Sequence, residues 1–330
     1  MVAGTGDVPI SGVTAVVLNV TVTQPSAAGY LTVWPTGEAR PVVSSLNFAS
    51  GDTVPNLVVV KVGARGMVSV YNSQGSSQVV VDVAGYVSEG GDSAITPVVP
   101  QRLLDTRKTG LALGSGGERQ LAVTGGPVPA GARAVLLNVT ATQPSTDGYL
   151  TVYPSATARP LASNLNFRSG QTVPNLVLAK VATTGNVTLY NAAGSVHVIV
   201  DLLGFVGPTL APGNLVTISP DRALDTRQAG GAFKAGETRL LRVGGRFGVP
   251  ANGLIGLVVN VTVTQPSTAG YLTVFPAGMA RPDTSNVNFV AGQTVPNLVM
   301  TGCNATGDLA IYNASGQAHV VVDVAGYVVA

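Results

Sequence analysis

Hydrophobic and polar positions alternate along this chain in short runs that predict β-strands. The first runs, between residues 13 and 87, are VTAVVLNVTVT, GYLTVWP, TVPNLVVVKV, MVSVYN and QVVVDVAGYV. They are rich in Val, Thr and Tyr and are bounded by Gly, Pro, Asn and Ser, which is typical of strands joined by turns. No segment of a dozen residues shows a clean 3.6-residue period, so we expect little helix.

The same pattern occurs three times. NVTVTQPSAAGYLTVWPTGEARP at 19–41 returns 119 positions later, and again 122 positions after that. A fixed period signals tandem units, and regularly spaced strands with turns between them favour a sandwich or jelly roll. The sequence therefore predicts an all-β chain of three tandem, jelly-roll-like β-sandwich domains of about 120 residues each. We place these domains at 1–88, 100–207 and 220–330.

Two connectors separate the predicted domains. Each follows a looser linker, at 88–99 or 207–218, and begins at Pro100 or Pro220. Each holds predicted strands of its own, around 103–105 and 119–123 in the first connector. Three cores share two connectors, so either the first or the last unit has an open sheet edge. Open edges invite strand addition from another chain, although a first unit cut short by the start of the chain is the simpler explanation.

Composition matters mainly for what it excludes. Charged residues make up 10% of the chain and the net charge is +2, without a Lys/Arg tract. We therefore expect neither nucleic acid nor an anionic membrane as a partner, and no apolar run is long enough for membrane insertion. The N-terminal MVAGTGDVPISG lacks the basic and apolar regions of a signal peptide, which indicates an intracellular protein or a mature fragment. Cys303, the single cysteine, is expected to be a small buried hydrophobe.

Catalytic and metal-binding motifs are not apparent in the sequence. His197 and His319 occupy equivalent positions without a partner at a defined spacing, so we interpret them as surface histidines of strands. No G-x-S-x-G, H-E-x-x-H, P-loop or G-x-G-x-x-G motif is present. We expect no enzyme activity, no catalytic residue, no metal and no cofactor.

Recurring aspartates require partners. Some lie mid-strand among valines and others lie in the LDTR motifs of the connectors, and a carboxylate in an apolar strand is costly unless it is ion-paired. We interpret them as structural latches that pair with connector arginines or with the arginines of the ARP motifs, and a calcium site is the alternative. The latch residues are Asp82, Asp105, Arg107, Asp201, Asp225, Arg227 and Asp323. The additional candidate partners are Arg40, Arg102, Arg159, Arg222 and Arg281.

Aromatic residues recur on one side of the GYLTVWP strand. Alternate residues face opposite sides, so Leu31 and Val33 face one way while Tyr30 and Trp34 face the other. The short QPSAAG link predicts that this strand forms a hairpin with the strand before it. If the aliphatic residues face the core, the aromatic face suits stacking on sugar rings; if this face packs on a second sheet, its aromatics are core. The candidate face comprises Tyr30, Trp34, Tyr149, Tyr153, Tyr271 and Phe275.

A string of motifs in fixed order resembles a known repeat. RLLDTR, LNVTATQPSTDGYLTVYP, ARP with SNLNF, GQTVPNLV and VVVDVAGYV are similar to the repeat of many secreted actinobacterial proteins, where it is often attached to hydrolases or stands alone. The resemblance covers nearly the whole chain. It implies a non-catalytic β-domain located outside the cell or at the cell surface, and it carries over no catalytic residue.

Three hypotheses of function follow. The first is multivalent binding of a polysaccharide or cell-envelope glycan, in which three weak sites gain by avidity. The second is a structural component that self-associates head to tail through its open sheet edge. The third is an inert spacer beside a catalytic domain that is not in this chain.

Overall fold

Strands account for nearly all the regular structure. The computed structural model describes residues 1–90, 94–207 and 213–330. Parts of both predicted linkers, 91–93 and 208–212, lie outside the described residues. Within them, helix is limited to α1 at Thr106–Thr109 and a single 3-10 turn at Ala64–Gly66. The expectation of an all-β chain with little helix is confirmed.

The strands repeat three times in the same order. In the first repeat, β1–β6 lie at Val13–Thr23, Gly29–Pro35, Leu46–Phe48, Thr53–Lys61, Val68–Asn72 and Gln78–Ser88. In the second, β7–β14 lie at Ile95–Asp105, Glu118–Ala122, Ala134–Thr142, Gly148–Pro154, Leu165–Phe167, Val173–Lys180, Asn186–Asn191 and His197–Val206. In the third, β15–β22 lie at Asn214–Asp225, Thr238–Arg242, Leu254–Thr264, Gly270–Pro276, Val287–Phe289, Val295–Gly302, Asp308–Asn313 and His319–Val329. The five runs predicted in the first repeat agree with these bounds to within one residue.

Each repeat forms two antiparallel sheets, which we call inner and outer. The inner sheets have the strand orders β4-β1-β6, β12-β9-β14-β7 and β15-β22-β17-β20, and the outer sheets β3-β2-β5, β11-β10-β13-β8 and β16-β21-β18-β19. The predicted hairpin of β1 with β2 is wrong, because these strands lie in different sheets. The link between them passes through Gln24, whose φ of 52° is left-handed, as are the φ angles of Gln143 and Gln265. This turn sends the chain from the inner sheet to the outer one.

The prediction of three tandem β-sandwich domains is wrong, because the six small sheets form one six-bladed β-propeller. Each outer sheet packs on the inner sheet of its own repeat over an apolar core. Each outer sheet also contacts the inner sheet of another repeat, since β3 contacts β20, β11 contacts β4 and β19 contacts β12. The contacts run from repeat to repeat until the ring is closed, as in a propeller.

A fourth apolar core joins the three inner sheets. It combines residues such as Leu57 from the first repeat, Leu176 from the second and Met300 from the third, all at most 2% exposed. Strand β1 is consequently buried on both faces, with Val16 packed in its own repeat and Val17 in the shared core. Strand alternation alone assigns one face to a core and the other to solvent. The second apolar face is the physical reason why the repeats are not independent domains.

Three pairs of buried asparagines also cross between repeats. Asn175 donates from Nδ2 to Asn19 Oδ1 at 2.9 Å, and its Oδ1 accepts from the backbone N–H of Leu57 at 3.1 Å. Asn297 with Asn138 and Asn56 with Asn260 repeat this geometry at the other two junctions, at 2.7 and 2.9 Å. Because buried amides must be hydrogen-bonded, these pairs fix the register of each repeat against the next.

Both connectors belong to the repeat that follows them. Strand β7 pairs with β14, and β15 pairs with β22. Both strands begin inside the predicted linkers, at Ile95 and Asn214. Strands β8 and β16 then complete the outer sheets. The first repeat has no equivalent of either strand among the described residues, so β6 and β5 end its two sheets.

Candidate functional site

The candidate site is the open edge of the first repeat, by which we mean β5, β6 and their exposed residues. Among the residues that the structure describes, β6 pairs only with β1 and β5 pairs only with β2. The apolar residues exposed here are Val70, Val79, Val80, Val81, Val83 and Tyr86. The other two repeats show what normally covers these positions, because their connectors are in place.

Connector strands fill this space in the second and third repeats. In the second repeat, Leu104, Leu113 and Val123 from the connector enter the core between the two sheets. In the third, Phe233 enters the equivalent core and is 0% exposed. Burial of a large apolar side chain stabilises a protein by about 1.5–3 kcal/mol. Each connector is therefore an integral part of the two sheets of its repeat.

An ion pair joins each connector to the strand it covers. The guanidinium of Arg102 donates through Nε to Asp201 Oδ1 and through Nη2 to Asp201 Oδ2. Arg222 does the same to Asp323 in the third repeat. Burial raises the pKa of Asp201 to about 6, against the lowering effect of the Arg102 hydrogen bond. Each pair lies at the point where the connector ladder changes register, between Val200 and Asp201 in the second repeat.

The remaining latch residues act within the connector itself. Arg107 donates to Asp105 through Nη2 at 2.7 Å, and this hydrogen bond lowers the pKa of Asp105. Arg227 and Asp225 repeat the contact at 2.6 Å. Asp105 also caps α1 by accepting from the backbone N–H of Arg107. These two pairs shape the turn that follows each connector strand.

A threonine of the DTR motif closes the connector against its strand. Thr106 Oγ1 accepts from the backbone N–H of Val198 at 2.8 Å and lies 3.0 Å from His197 Nδ1. Thr226 makes the same two contacts with Val320 and His319. Both histidines are half-buried, so they are less exposed than the surface position expected from the sequence.

In the first repeat the corresponding strand is β6, which no described connector strand covers. Four of its valines, Val79, Val80, Val81 and Val83, are 38–48% exposed, whereas their counterparts in the other repeats are at most 5% exposed. Asp82 occupies the position of Asp201 and Asp323 but forms no ion pair with any described residue, and burial raises its pKa. The open edge thus carries the same valines and aspartate that the other two repeats present to their connectors, but no described strand covers it.

The residues of the predicted aromatic face differ in their burial and in their partners. Tyr153 and Phe275 are each 4% exposed, whereas Trp34 is half-buried and donates from Nε1 to the carbonyl of Glu38 at 3.1 Å. The Tyr153 hydroxyl donates to Glu118 of β8 at 2.7 Å, a strand that the first repeat lacks. A loop also crosses this face, since Thr32 Oγ1 donates to the carbonyl of Val43 at 2.7 Å. The face is therefore not a continuous platform.

Tyr30, Tyr149 and Tyr271 lie in three equivalent clusters instead. Each ring is tilted against a second tyrosine at 6.2–6.3 Å between centroids, in the pairs Tyr30–Tyr71, Tyr149–Tyr190 and Tyr271–Tyr312. The ARP arginines stack on the second tyrosines at 3.6–4.1 Å, in the pairs Arg40–Tyr71, Arg159–Tyr190 and Arg281–Tyr312. These arginines hold cation–π contacts and are not the partners of the strand aspartates.

The remaining candidates contribute little chemistry. Cys303 is half-buried against the core of the third repeat, and burial raises its thiol pKa to about 11. Among the residues that the structure describes, no three His, Cys, Asp or Glu side chains come together as a group that could hold a metal ion. In the same part of the chain, no helix has the length and apolar character needed to cross a membrane.

Sequence reasoning missed the asparagine pairs and the capping threonines. The signal for the asparagines is a polar residue within an apolar strand at the same place three times, as in LNVT and VPNL. The signal for the threonines is the DTR triplet, which occurs in both connectors.

Comparisons with known proteins give no family. No protein-family model matches the chain, and no curated protein matches it. Among solved structures, it is similar to one described as a triple jelly roll fold and turret assembly in an archaeal virus, with 10% identity and a TM-score of 0.18 over 97% of this chain and 80% of the other. The atomic structure of Sulfolobus turreted icosahedral virus gives 12% identity and a TM-score of 0.19 over 96% and 80%. TM-scores this low do not establish a shared fold.

Proposed function

We propose that the protein is a non-catalytic interaction module that accepts an extended strand from outside residues 1–330 at the open edge of its first repeat. The observation that carries this proposal is the exposure of Val79, Val80, Val81 and Val83 on a strand whose two counterparts are covered. Strand addition to an exposed sheet edge gives affinity through backbone hydrogen bonds and specificity through side-chain pockets. An extracellular or cell-surface setting is proposed on the motif resemblance alone.

The sheet edges that the connector strands form differ from this one. Strand β8 carries Glu118 and Arg119, β16 carries Arg239 and Arg242, and β7 contains two prolines. Charged residues and prolines are the usual protection of an edge against unwanted pairing. Strand β6 carries one charge, Asp82, and its ten other residues hold neither charge nor proline. The contrast supports a partner for β6 and none for the protected edges.

Self-association is a weaker proposal for this edge. Both connector strands are already paired within their own repeats, so head-to-tail assembly requires one of them to be released. Antiparallel pairing of two β6 strands brings one Asp82 close to the other, because this residue is near the middle of Gln78–Ser88. Like charges opposite each other destabilise strand pairs. We therefore propose as the donor a segment that lies outside residues 1–330.

A peptide tests this proposal directly. The probe is a synthetic peptide of residues 95–123, which contains both strands that a connector supplies. Trp34 is the only tryptophan of the chain and the peptide has none, so its fluorescence reports on the site. We expect saturable one-to-one binding, a blue shift of Trp34 emission, and slower hydrogen exchange in residues 78–88. Absence of binding would overturn the proposed function.

Two surface valines provide a matched pair of variants. Val80 on β6 and Val290 in the third repeat are 48% and 49% exposed. A lysine on a sheet edge opposes strand pairing, so Val80→Lys should abolish peptide binding and Val290→Lys should leave it unchanged. Equal loss in both variants would place the peptide elsewhere.

The tyrosine clusters favour a second candidate function, multivalent binding of a polysaccharide or cell-envelope glycan. Tyr30 is 37% exposed and is held by Tyr71, which is itself covered by Arg40. Because the cluster occurs three times, weak sites would add by avidity. Retention on insoluble cell-wall polysaccharide, reduced by Tyr30→Ala and further by adding Tyr149→Ala and Tyr271→Ala, would support it. Retention unchanged in the triple variant would rule out these tyrosines.

A further inference from the structure

Resting on the proposed function, we propose that the partner segment carries an R-x-L-D-T pattern, with its arginine bound to Asp82. Both connectors of this chain share that pattern, as QRLLDTR at 101–107 and DRALDTR at 221–227. The acceptor strands are also alike, because residues 79–87 and 320–328 are both VVVDVAGYV. The pairing of β15 with β22 therefore shows how a donor strand would lie against β6, which has the same sequence as β22 at these positions.

The register of the known pairs positions each donor residue. In the third repeat, Arg222 lies opposite Asp323, Leu224 opposite Val322 and Asp225 opposite Val321. Asp323 and Val322 correspond to Asp82 and Val81 of the open edge. A donor of the same pattern thus places its arginine on Asp82 and its leucine beside Val81. That arginine would pair Asp82, which has no ion pair with any described residue, by a charge-assisted, forked hydrogen bond.

The threonine of the pattern has a partner as well. Thr226 Oγ1 accepts from the backbone N–H of Val320, which corresponds to Val79. The donor's threonine therefore binds the Val79 N–H and ends the strand at the same point as in the complete repeats. Further along the donor, an apolar residue at the place of Leu113 or Phe233 would pack between the two sheets, as those residues do in the complete repeats.

Charge distinguishes this donor from other apolar strands. A strand with a neutral or acidic residue at the arginine position leaves Asp82 desolvated without a partner, which is costly. The pattern also excludes a second copy of β6 as the preferred occupant, since that strand offers another aspartate. We therefore commit to an extended segment outside residues 1–330 that carries arginine two residues before leucine.

A charge-reversal cycle with the intact chain tests the inference. Binding of the 95–123 peptide is compared with that of the same peptide carrying Arg102→Gln or Arg102→Asp, against wild-type protein and the Asp82→Asn and Asp82→Arg variants. We expect each single change to weaken binding about 10- to 100-fold, because a hydrogen bond to a charged group is lost in a partly buried site. The pair of Asp82→Arg with the Arg102→Asp peptide should recover at least part of the loss.

The outcomes separate this inference from the proposed function. Peptide binding that is insensitive to the changes at Asp82 and Arg102 would overturn the arginine requirement while supporting strand addition. No binding of any peptide would overturn the proposed function itself. Light scattering of the protein without peptide tests a second copy as the occupant. A dimer that dissociates in the Val80→Lys variant would identify a second copy at the open edge and would overturn the inference.

Discussion

Replacing Asn175 with alanine should weaken the molecule at the junction of the first and second repeats. This side chain is 0% exposed and joins groups from both repeats. Alanine leaves three of these groups without their partner: the Oδ1 atom of Asn19, the carbonyl of Asn164 and the N–H of Leu57. An unsatisfied buried polar group costs about 1–3 kcal/mol. With partial relaxation we expect the free energy of unfolding to fall by about 3–6 kcal/mol.

Asn191 provides the matched control. It is also 0% exposed and donates three hydrogen bonds of 3.0 Å, to the carbonyls of Leu113, Gly114 and Gly194, but all of them lie within the second repeat. Asn191→Ala should therefore destabilise the protein by a similar amount without separating repeats. The two variants differ in which interface they weaken.

Denaturant unfolding followed by two probes distinguishes them. Trp34 fluorescence reports on the first repeat, whereas far-ultraviolet circular dichroism reports on all three. Coincident transitions indicate a single cooperative unit. We expect the two transitions to coincide in the wild type and in Asn191→Ala, and fluorescence to change first in Asn175→Ala. A loss below about 1 kcal/mol with coincident transitions in Asn175→Ala would refute the role assigned to the asparagine pairs.

Three further predictions concern the completed repeats. Burial raises the pKa of Asp201 and Asp323 to about 6, above the ordinary value of 3.8. The folded state therefore binds protons at these carboxylates more tightly than the unfolded state does. The free energy of unfolding should consequently fall as pH rises from about 4 to about 6. Titration of stability in the Asp201→Asn and Asp323→Asn double variant should show a smaller slope in that window, and an unchanged slope would contradict the assignment. Phe233→Ala removes a fully buried ring and should lower the free energy of unfolding by about 3–5 kcal/mol, measured by thermal or chemical unfolding. A decrease of less than about 1 kcal/mol would contradict this prediction. Thr106→Val keeps the shape but leaves the Val198 N–H unpaired, so unfolding should be easier by about 1–3 kcal/mol, whereas Thr109→Val, at an exposed position, should have little effect.

Local pattern was sufficient to predict the longer strands but not their partners, and the three-residue strands β3, β11 and β19 were not predicted. Val, Thr and Tyr alternation set the bounds of β1 and β2 correctly, since these depend on neighbouring residues. The pairing of β1 with β4 and β6 depends on residues far along the chain and on the left-handed turn at Gln24. A glutamine in that conformation has no distinctive sequence signature, so a hairpin was the simpler prediction.

Each inner sheet has a second apolar face, which packs in the core shared by the three repeats. The sequence pattern could not show that this face is buried there. Val17 and Leu57 look the same in sequence whether they face their own core or the shared one. The open edge, by contrast, followed from counting connectors, because three cores with two connectors leave one unit incomplete. Exposure of the aromatic residues depended on the loop that crosses Thr32 and on β8, and neither could be located from alternation.

The contacts of the outer sheets determine how many copies the chain can hold. The outer sheet of the first repeat contacts the third, that of the second contacts the first, and that of the third contacts the second. Removing a repeat would leave two unmatched surfaces, and inserting a fourth would demand a wider ring with a different curvature. A gene of this kind can therefore grow by duplicating the whole triplet, whereas duplication of a single repeat gives a chain that does not close.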